Sequence, residues 1–251
     1  VNSCGSGTAR TIAITVTPPL PLMRITEYMY NGLGAGSAGE FVEFTNVGST
    51  TIDMTGWSFD DNSRVPGSQS LTGFGIVQPG ESVVLTDMNS GSFRSNWNLC
   101  NGVKIIGNNT NNLGREDEIN LYDGSGTLVD RLTYGDQTFA PGSIRTSGTS
   151  GWVTAAGLGN NQISQWVLSV VGDAEASYSS TVAEKGSLGK STRATVSFDP
   201  CFVANGAPTI VINTSATSNY LDGGATTSPI SPFGLSGVID DTKDPLLLYG
   251  V

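Results

Sequence analysis

The feature that most constrains this chain is a rhythm of short strand-like runs separated by turn dipeptides. The runs fall at 24–30, 40–46, 57–60, 82–86, 104–106, 118–122 and 128–134. Between them stand Asn31-Gly32, Gly48-Ser49, Pro79-Gly80, Asn101-Gly102 and Asp123-Gly124. A period of two sends successive side chains to opposite faces of a pleated strand, and pairs built from Gly, Asn or Pro reverse the chain at little cost. Seven or more short strands over about 110 residues predict an all-β fold, an antiparallel sandwich of immunoglobulin-like size with very little helix. Trp57 follows a glycine and precedes Ser58-Phe59, the setting of a core tryptophan; Phe44, Leu85, Ile119 and Leu121 are expected beside it. At 37% hydrophobic residues, the large side chains suffice for one thin core.

Composition then removes whole classes of function. The chain has no histidine, so it lacks the commonest general base, the usual partner of a nucleophilic Ser or Cys, and the commonest zinc ligand. Its 12 Lys and Arg are outnumbered by 22 Asp and Glu, a net charge of −10, and the scattered cations form no stripe for a phosphate backbone. Nucleic acid is therefore not an expected partner. No run of eighteen apolar residues occurs, so no membrane span is expected. The sequence starts at Val1 and shows no charged-then-apolar leader, which reads as a processed or excised piece of an exported protein. Three cysteines, Cys4, Cys100 and Cys201, lack any C-x-x-C spacing and argue against zinc. One disulfide with one thiol left over is the natural arithmetic, against three separate thiols in a reducing compartment. The favoured bridge is Cys100–Cys201, fastening the tail to the sandwich; Cys4–Cys201 would instead join the two ends.

Outside the sandwich the ends carry strands of their own. Residues 11–17 alternate, with Ile12, Ile14 and Val16 on one face, and Pro18, Pro19 and Pro21 follow as a hinge. Residues 1–21 therefore read as a strand and linker, and the main domain as 22–200. Within it, 140–193 reads as a long wrapping loop with short strands, pinned by Trp152 and Trp166. Residues 201–251 read as an extended segment, strand-donating or opening a further module, with Ile210 and Ile212 on one strand face.

Six motifs in order then resemble a known family: RITEYMY at 24–30, GEFVEFTN at 39–46, IDMTGWSFDD at 52–61, QPGESVVLTD at 78–87, FRSNW at 93–97 and DEINLYDGSGTLVDRLTY at 117–134. Together they resemble the lamin tail domain family in its bacterial, secreted form, over roughly residues 22–137. Phe41 stands where the family often has Trp, and Met54 where it often has Leu; both keep an apolar side chain. The resemblance implies an immunoglobulin-like sandwich serving as a binding or architectural module without catalytic machinery. No coiled-coil heptads of the nuclear lamins are present. The bacterial relatives look like pieces of large exported proteins, beside enzymes, adhesive repeats and calcium-binding modules.

Candidate sites are few. Glu27, Glu40 and Glu43 suggest an acid pair, but Glu40 and Glu43 are an odd number apart on one strand and point to opposite faces, which defeats the pairing. The resemblance makes Glu43 a structural acceptor that ties a loop through backbone N–H groups. Asp60-Asp61 and the cluster Asp240, Asp241 and Asp244 are the best oxygen-ligand sets for Ca2+. Asn108 and Asn213 open N-x-S/T sequons. Tyr28, Tyr30 and Tyr134 are candidates for a glycan-binding platform. The leading functional expectation is a non-enzymatic extracellular or cell-surface structural protein whose copies join head to tail by strand exchange into a fibre or surface layer. The alternative is an accessory module of a large secreted enzyme or adhesin that binds glycan or protein.

Overall fold

A computed structural model describes residues 22–33, 39–137 and 143–201. The chain divides into two units, 1–203 and 204–251, and the described residues belong to the first. Expectations resting on Cys4, Ile12, Ile14, Val16, Ile210, Ile212, Asn213, Asp240, Asp241 and Asp244 lie outside the described residues.

In chain order the strands are β1 (Met23–Met29), β2 (Phe41–Asn46), β3 (Ile52–Asp53), β4 (Ser58–Asp60) and β5 (Gln69–Ser70). Next come β6 (Ile76–Val77), β7 (Ser82–Thr86), the helix α1 (Ser90–Asn96) and β8 (Lys104–Ile106). β9 (Glu116–Tyr122), β10 (Leu128–Gly135), β11 (Gly151–Val153), β12 (Trp166–Leu168), β13 (Tyr178–Ser179) and β14 (Lys185–Gly186) complete the set. A six-stranded sheet runs β12-β11-β1-β2-β7-β8, and a four-stranded sheet runs β10-β9-β4-β5. β3 with β6 and β13 with β14 form two small ribbons. The fold is the expected all-β sandwich, with α1 as the one α-helix among the described residues.

Between the large sheets lies a core that includes Met23, Ile25, Tyr28, Phe44, Trp57, Phe59, Leu85, Ile119, Leu121 and Leu132. All five expected core residues are in it. Alternation explains the choice of face: Val42 and Phe44 on β2 and Val83 and Leu85 on β7 face the second sheet. The intervening Phe41 and Val84 do not face water, however. With Met29, Phe93, Trp97, Val103 and Leu188 they build a second core on the outer side of the six-stranded sheet. The expectation of one thin core is thus corrected: α1 and the segment after β14 cover the outer face.

Two further details depart from the sequence reading, and a third fills it in. β8 lies parallel to β7, pairing Val83 with Lys104 and Leu85 with Ile106, because the connection crosses over through α1 instead of turning as a hairpin. α1 starts at Asn89, whose side chain accepts from the Gly91 and Ser92 amides, and Phe93 and Trp97, four residues apart, present one apolar stripe to the sheet. The segment read as a wrapping loop with short strands carries them as expected, and two of them extend the large sheet: β11 pairs with β1 and β12 with β11. Trp152 and Trp166 sit in these strands, both buried.

The register of β1 against β2 slips once. Ile25 faces Phe44 and Glu27 faces Glu43, so Thr26 and Glu27 together oppose one residue. Such a bulge resets the alternation. Ile25 and Tyr28 face the inner core, whereas Glu27 is carried to the outer face with Glu43. The opposite sheet accommodates the slip, for Asp130, beside a register shift in β10, accepts from the Ile25 amide at 3.0 Å.

Candidate functional site: a buried carboxylate pair and an open sheet edge

Glu27 and Glu43 are cross-strand partners on the outer face, and both are buried (1% and 0% exposed). Two carboxylates placed side by side out of water require donors, and the chain brings them from far away. Glu27 Oε1 accepts from the Ser187 amide at 2.8 Å and from the Ser150 hydroxyl, while Oε2 accepts from the Ser187 hydroxyl. Glu43 Oε2 accepts from the Gly189 amide at 2.7 Å, and Oε1 from the Thr26 hydroxyl at 3.0 Å. A Cβ on Gly186 would stand 2.7 Å from Glu27 Oε1, so a glycine is needed for β14 to lie over the pair. Hydroxyls run outward on both sides: Thr26 to Thr45 to Ser82, and Ser150 to Ser169, each at 2.7 Å.

Among the described residues no Lys or Arg pairs with either carboxylate. The nearest charges are Glu175, itself buried and held by Arg193 at 3.3 Å and by the Thr192 amide, and the ring of Tyr178 lies close by. Burial pushes Glu27 up to about 7 against the pull of its serine donors. It drives Glu43 well above the usual carboxylate range, and the neighbouring Glu27 charge adds to that rise.

From this anchor residues 187–201 run as a strap across the sheet. Leu188 enters the outer core, Thr195 Oγ1 donates to the Val47 carbonyl at 3.1 Å, and Cys201 is bonded to Cys100 with Cα atoms 5.5 Å apart. The disulfide is the one favoured from the sequence. Backbone approaches are close: a Cβ at Gly80 would collide with the Val196 carbonyl oxygen, and one at Gly102 with that of Pro200. The turn glycines of Pro79-Gly80 and Asn101-Gly102 thus serve also as the bed of the strap.

Elsewhere the structure redistributes the sequence candidates. Glu40 and Glu43 do point to opposite faces; Glu40 Oε2 accepts from the Leu113 amide at 2.9 Å, and burial pushes its carboxyl up to about 8. Asp60 and Asp61, named as oxygen ligands, are engaged by protein donors. Asp60 Oδ2 takes the Val65 amide and the Ser63 hydroxyl, Asp60 Oδ1 takes Asn111 Nδ2, and Asp61 Oδ1 takes the Ser63 amide. Protein donors close that loop, and among the described residues no group of three acidic or Cys side chains is arranged to hold a metal. The surface platform of tyrosines is corrected: Tyr28 and Tyr134 are buried against each other, with ring centroids 4.5 Å apart and planes tilted by 44°, and Trp166 meets Tyr28 edge-on at 5.4 Å. Asn108 is exposed, with a left-handed φ of 59°. Among the described residues no helix is long and apolar enough to cross a membrane.

β12 forms one edge of the six-stranded sheet. On and beside it Val167, Val170 and Val171 are 41%, 63% and 55% exposed. An edge strand presents unpaired backbone groups, and apolar side chains there favour addition of another strand. The sequence did not single out this edge, and it set aside an acid pair among Glu27, Glu40 and Glu43 on the orientation of Glu40, whereas the carboxylates that meet are Glu27 and Glu43. A signal for the contact existed: Glu27 falls in the apolar phase of Met23, Ile25 and Met29, and only a break in alternation keeps a carboxylate off the inner core there.

These features define a class: an immunoglobulin-like sandwich whose buried polar groups are engaged in holding chain segments together. Residues 19–136 match the family model described as Lamin Tail Domain, and this segment is a lamin tail domain of immunoglobulin-like fold, a structural domain family. No curated protein and no solved structure matches the chain. The matched span includes β1 to β10; β11 to β14, the strap and Cys201 lie beyond it.

Proposed function

We propose that the protein is a non-enzymatic structural module of the cell exterior whose copies join head to tail by strand addition. The observation that carries this reading is the β12 edge, which has no further strand beside it among the described residues, with its exposed valines. The strand-like segment 11–17 behind its proline hinge supplies a donor of matching character, and a donor that reaches a neighbour instead of its own sheet propagates a filament. An exterior location is supported by the Cys100–Cys201 bridge, since disulfides persist in oxidising compartments. A non-enzymatic role is supported by the absence of histidine and by the engagement of Glu27, Glu43 and Asp60 with structural donors.

Electron microscopy of the purified chain tests the reading. Filaments or ordered layers are expected, and they should disappear on deletion of residues 1–19 while the sandwich stays folded by circular dichroism. A strictly monomeric chain at high concentration would overturn it and favour the accessory-module alternative. Unfolding of the truncated chain would place the strand in its own core.

A further inference from the structure

The outer face of the six-stranded sheet joins a buried acid pair to the only covalent strap among the described residues, and the joint has a chemical asymmetry. Glu27 takes three donors, two of them from Ser187, and none of its contacts needs a proton of its own. Glu43 takes the Gly189 amide on Oε2, whereas its Oε1 meets Thr26, the first hydroxyl of the Thr26–Thr45–Ser82 chain. Hydroxyls can donate in either direction. A proton on Glu43 Oε1 is accommodated if Thr26 accepts it and donates on to Thr45, while Oε2 continues to hold Gly189. Two buried carboxylates side by side resist ionising together without a cation, and among the described residues no Lys or Arg pairs with them.

The facing groups do not change this balance. Glu175 is a further acid, Arg193 is committed to it, and Tyr178 is a neutral phenol whose ionisation is pushed upward by burial and by the pair itself. Ser150, Ser169 and Ser187 carry no charge.

We propose that the Glu27–Glu43 pair retains a proton at neutral pH and acts as a pH-sensitive clasp, so that losing this proton as the pH rises releases residues 187–189 from the sheet. Opening withdraws Leu188 from Phe93, Trp97 and Val103 and bares that apolar face, while the Cys100–Cys201 bridge keeps the strap attached at its far end. The inference is independent of filament assembly, since it concerns one copy of the chain.

The sign follows from linkage. A carboxyl raised in the closed form binds a proton that the open form gives up, so the clasp is strongest below the ordinary carboxylate range and weakens as pH climbs through the raised value. For a group moved from 4.5 to about 7, the value of Glu27, opening becomes about tenfold easier between pH 6 and pH 8.5. Native-state hydrogen exchange on the full chain reads this directly. After correction for intrinsic exchange rates, the Ser187 and Gly189 amides should lose about tenfold protection over that interval relative to Val84, which lies within the same sheet on β7. Glu43→Gln keeps an acceptor for Gly189 and leaves one buried carboxyl where the parent has two, so its loss of protection with pH should be clearly shallower than the parent's. Should that variant not fold, Glu27→Gln serves in its place. Should neither fold, the carboxyl carbon shifts of the parent chain decide, with a titration step above pH 6 expected for the pair. Uniform protection of residues 187–189 from pH 6 to 8.5 in the parent, an unchanged pH slope in a folded Gln variant, or carboxyl shifts showing both groups ionised at pH 6 would each overturn the clasp.

Discussion

Removing the Cys100–Cys201 bridge by paired substitution, Cys100→Ser with Cys201→Ser, should act almost wholly on the unfolded chain. The bridged residues are 101 apart in sequence, and freeing a loop of that length returns about 4.7 kcal/mol of conformational entropy to the unfolded ensemble in the chain-entropy model. The folded side loses little. Cys201 is exposed and Cys100 half-buried, and the strap keeps the Gly189 bond to Glu43, the Thr195 bond to Val47 and the packing of Leu188. For a domain of this size each kcal/mol moves the midpoint by roughly 2–4 °C, so Tm should fall by roughly 9–19 °C. Melting followed by circular dichroism measures the shift. Urea titration should show a steeper transition as well, because an unbridged unfolded chain exposes more surface. Native near-ultraviolet spectra at 20 °C should match the parent. A midpoint within about 3 °C of the parent with an unchanged urea slope would refute the reasoning, since a constraint of this size must appear in the unfolded state. Loss of Gly189 amide protection at 20 °C would relocate the effect to the folded state.

Other expectations follow from the same geometry. Trp57→Ala, in the inner core, should cost about 3–5 kcal/mol in urea unfolding, and an unchanged curve would remove the tryptophan from the core. Gly102→Ala sets a Cβ against the Pro200 carbonyl and should cost about 1–3 kcal/mol, but much less once the bridge is absent and the strap can lift; equal costs in both backgrounds would contradict the close approach. Burial raises Glu40 to about 8, so its contribution is fully present below the ordinary carboxylate value and lost as pH rises through about 8; urea midpoints should drop between pH 6 and 9, and less so in Glu40→Gln. Arg64 holds Glu118 down at about 2, the opposite sign: that contribution is present above 4.5 and lost as the pH falls towards 2, so Arg64→Ala should flatten the acid limb of the stability profile. Val167→Lys puts a charge on the β12 edge and should abolish assembly without lowering Tm; persistence of filaments would shift the acceptor to another edge.

Local pattern was enough for the strands and their inner faces. Alternation within 40–46 and 82–86 assigns Phe44 and Leu85 to the sandwich interior, and the glycine and proline pairs end each run, because side-chain direction along a strand depends only on neighbours in sequence. The opposite orientation of Glu40 and Glu43 was legible for the same reason. What alternation could not supply was any quantity set by a distant partner. The bulge at Thr26 shows as an interruption only when β1 is read against β2, and it alone carries Glu27 to the face of Glu43. Burial of Phe41 and Val84 on that face depends on α1 and on a strap arriving from more than a hundred residues away. β11 and β12 are three residues each, too short for a period to register, and they became strands because β1 offered β11 an edge and β11 offered one to β12. Sequence determined which way each side chain points within its own strand; the tertiary structure decided what it meets there, because register, crossover and cover are properties of pairs of segments and a single segment carries no record of its partner.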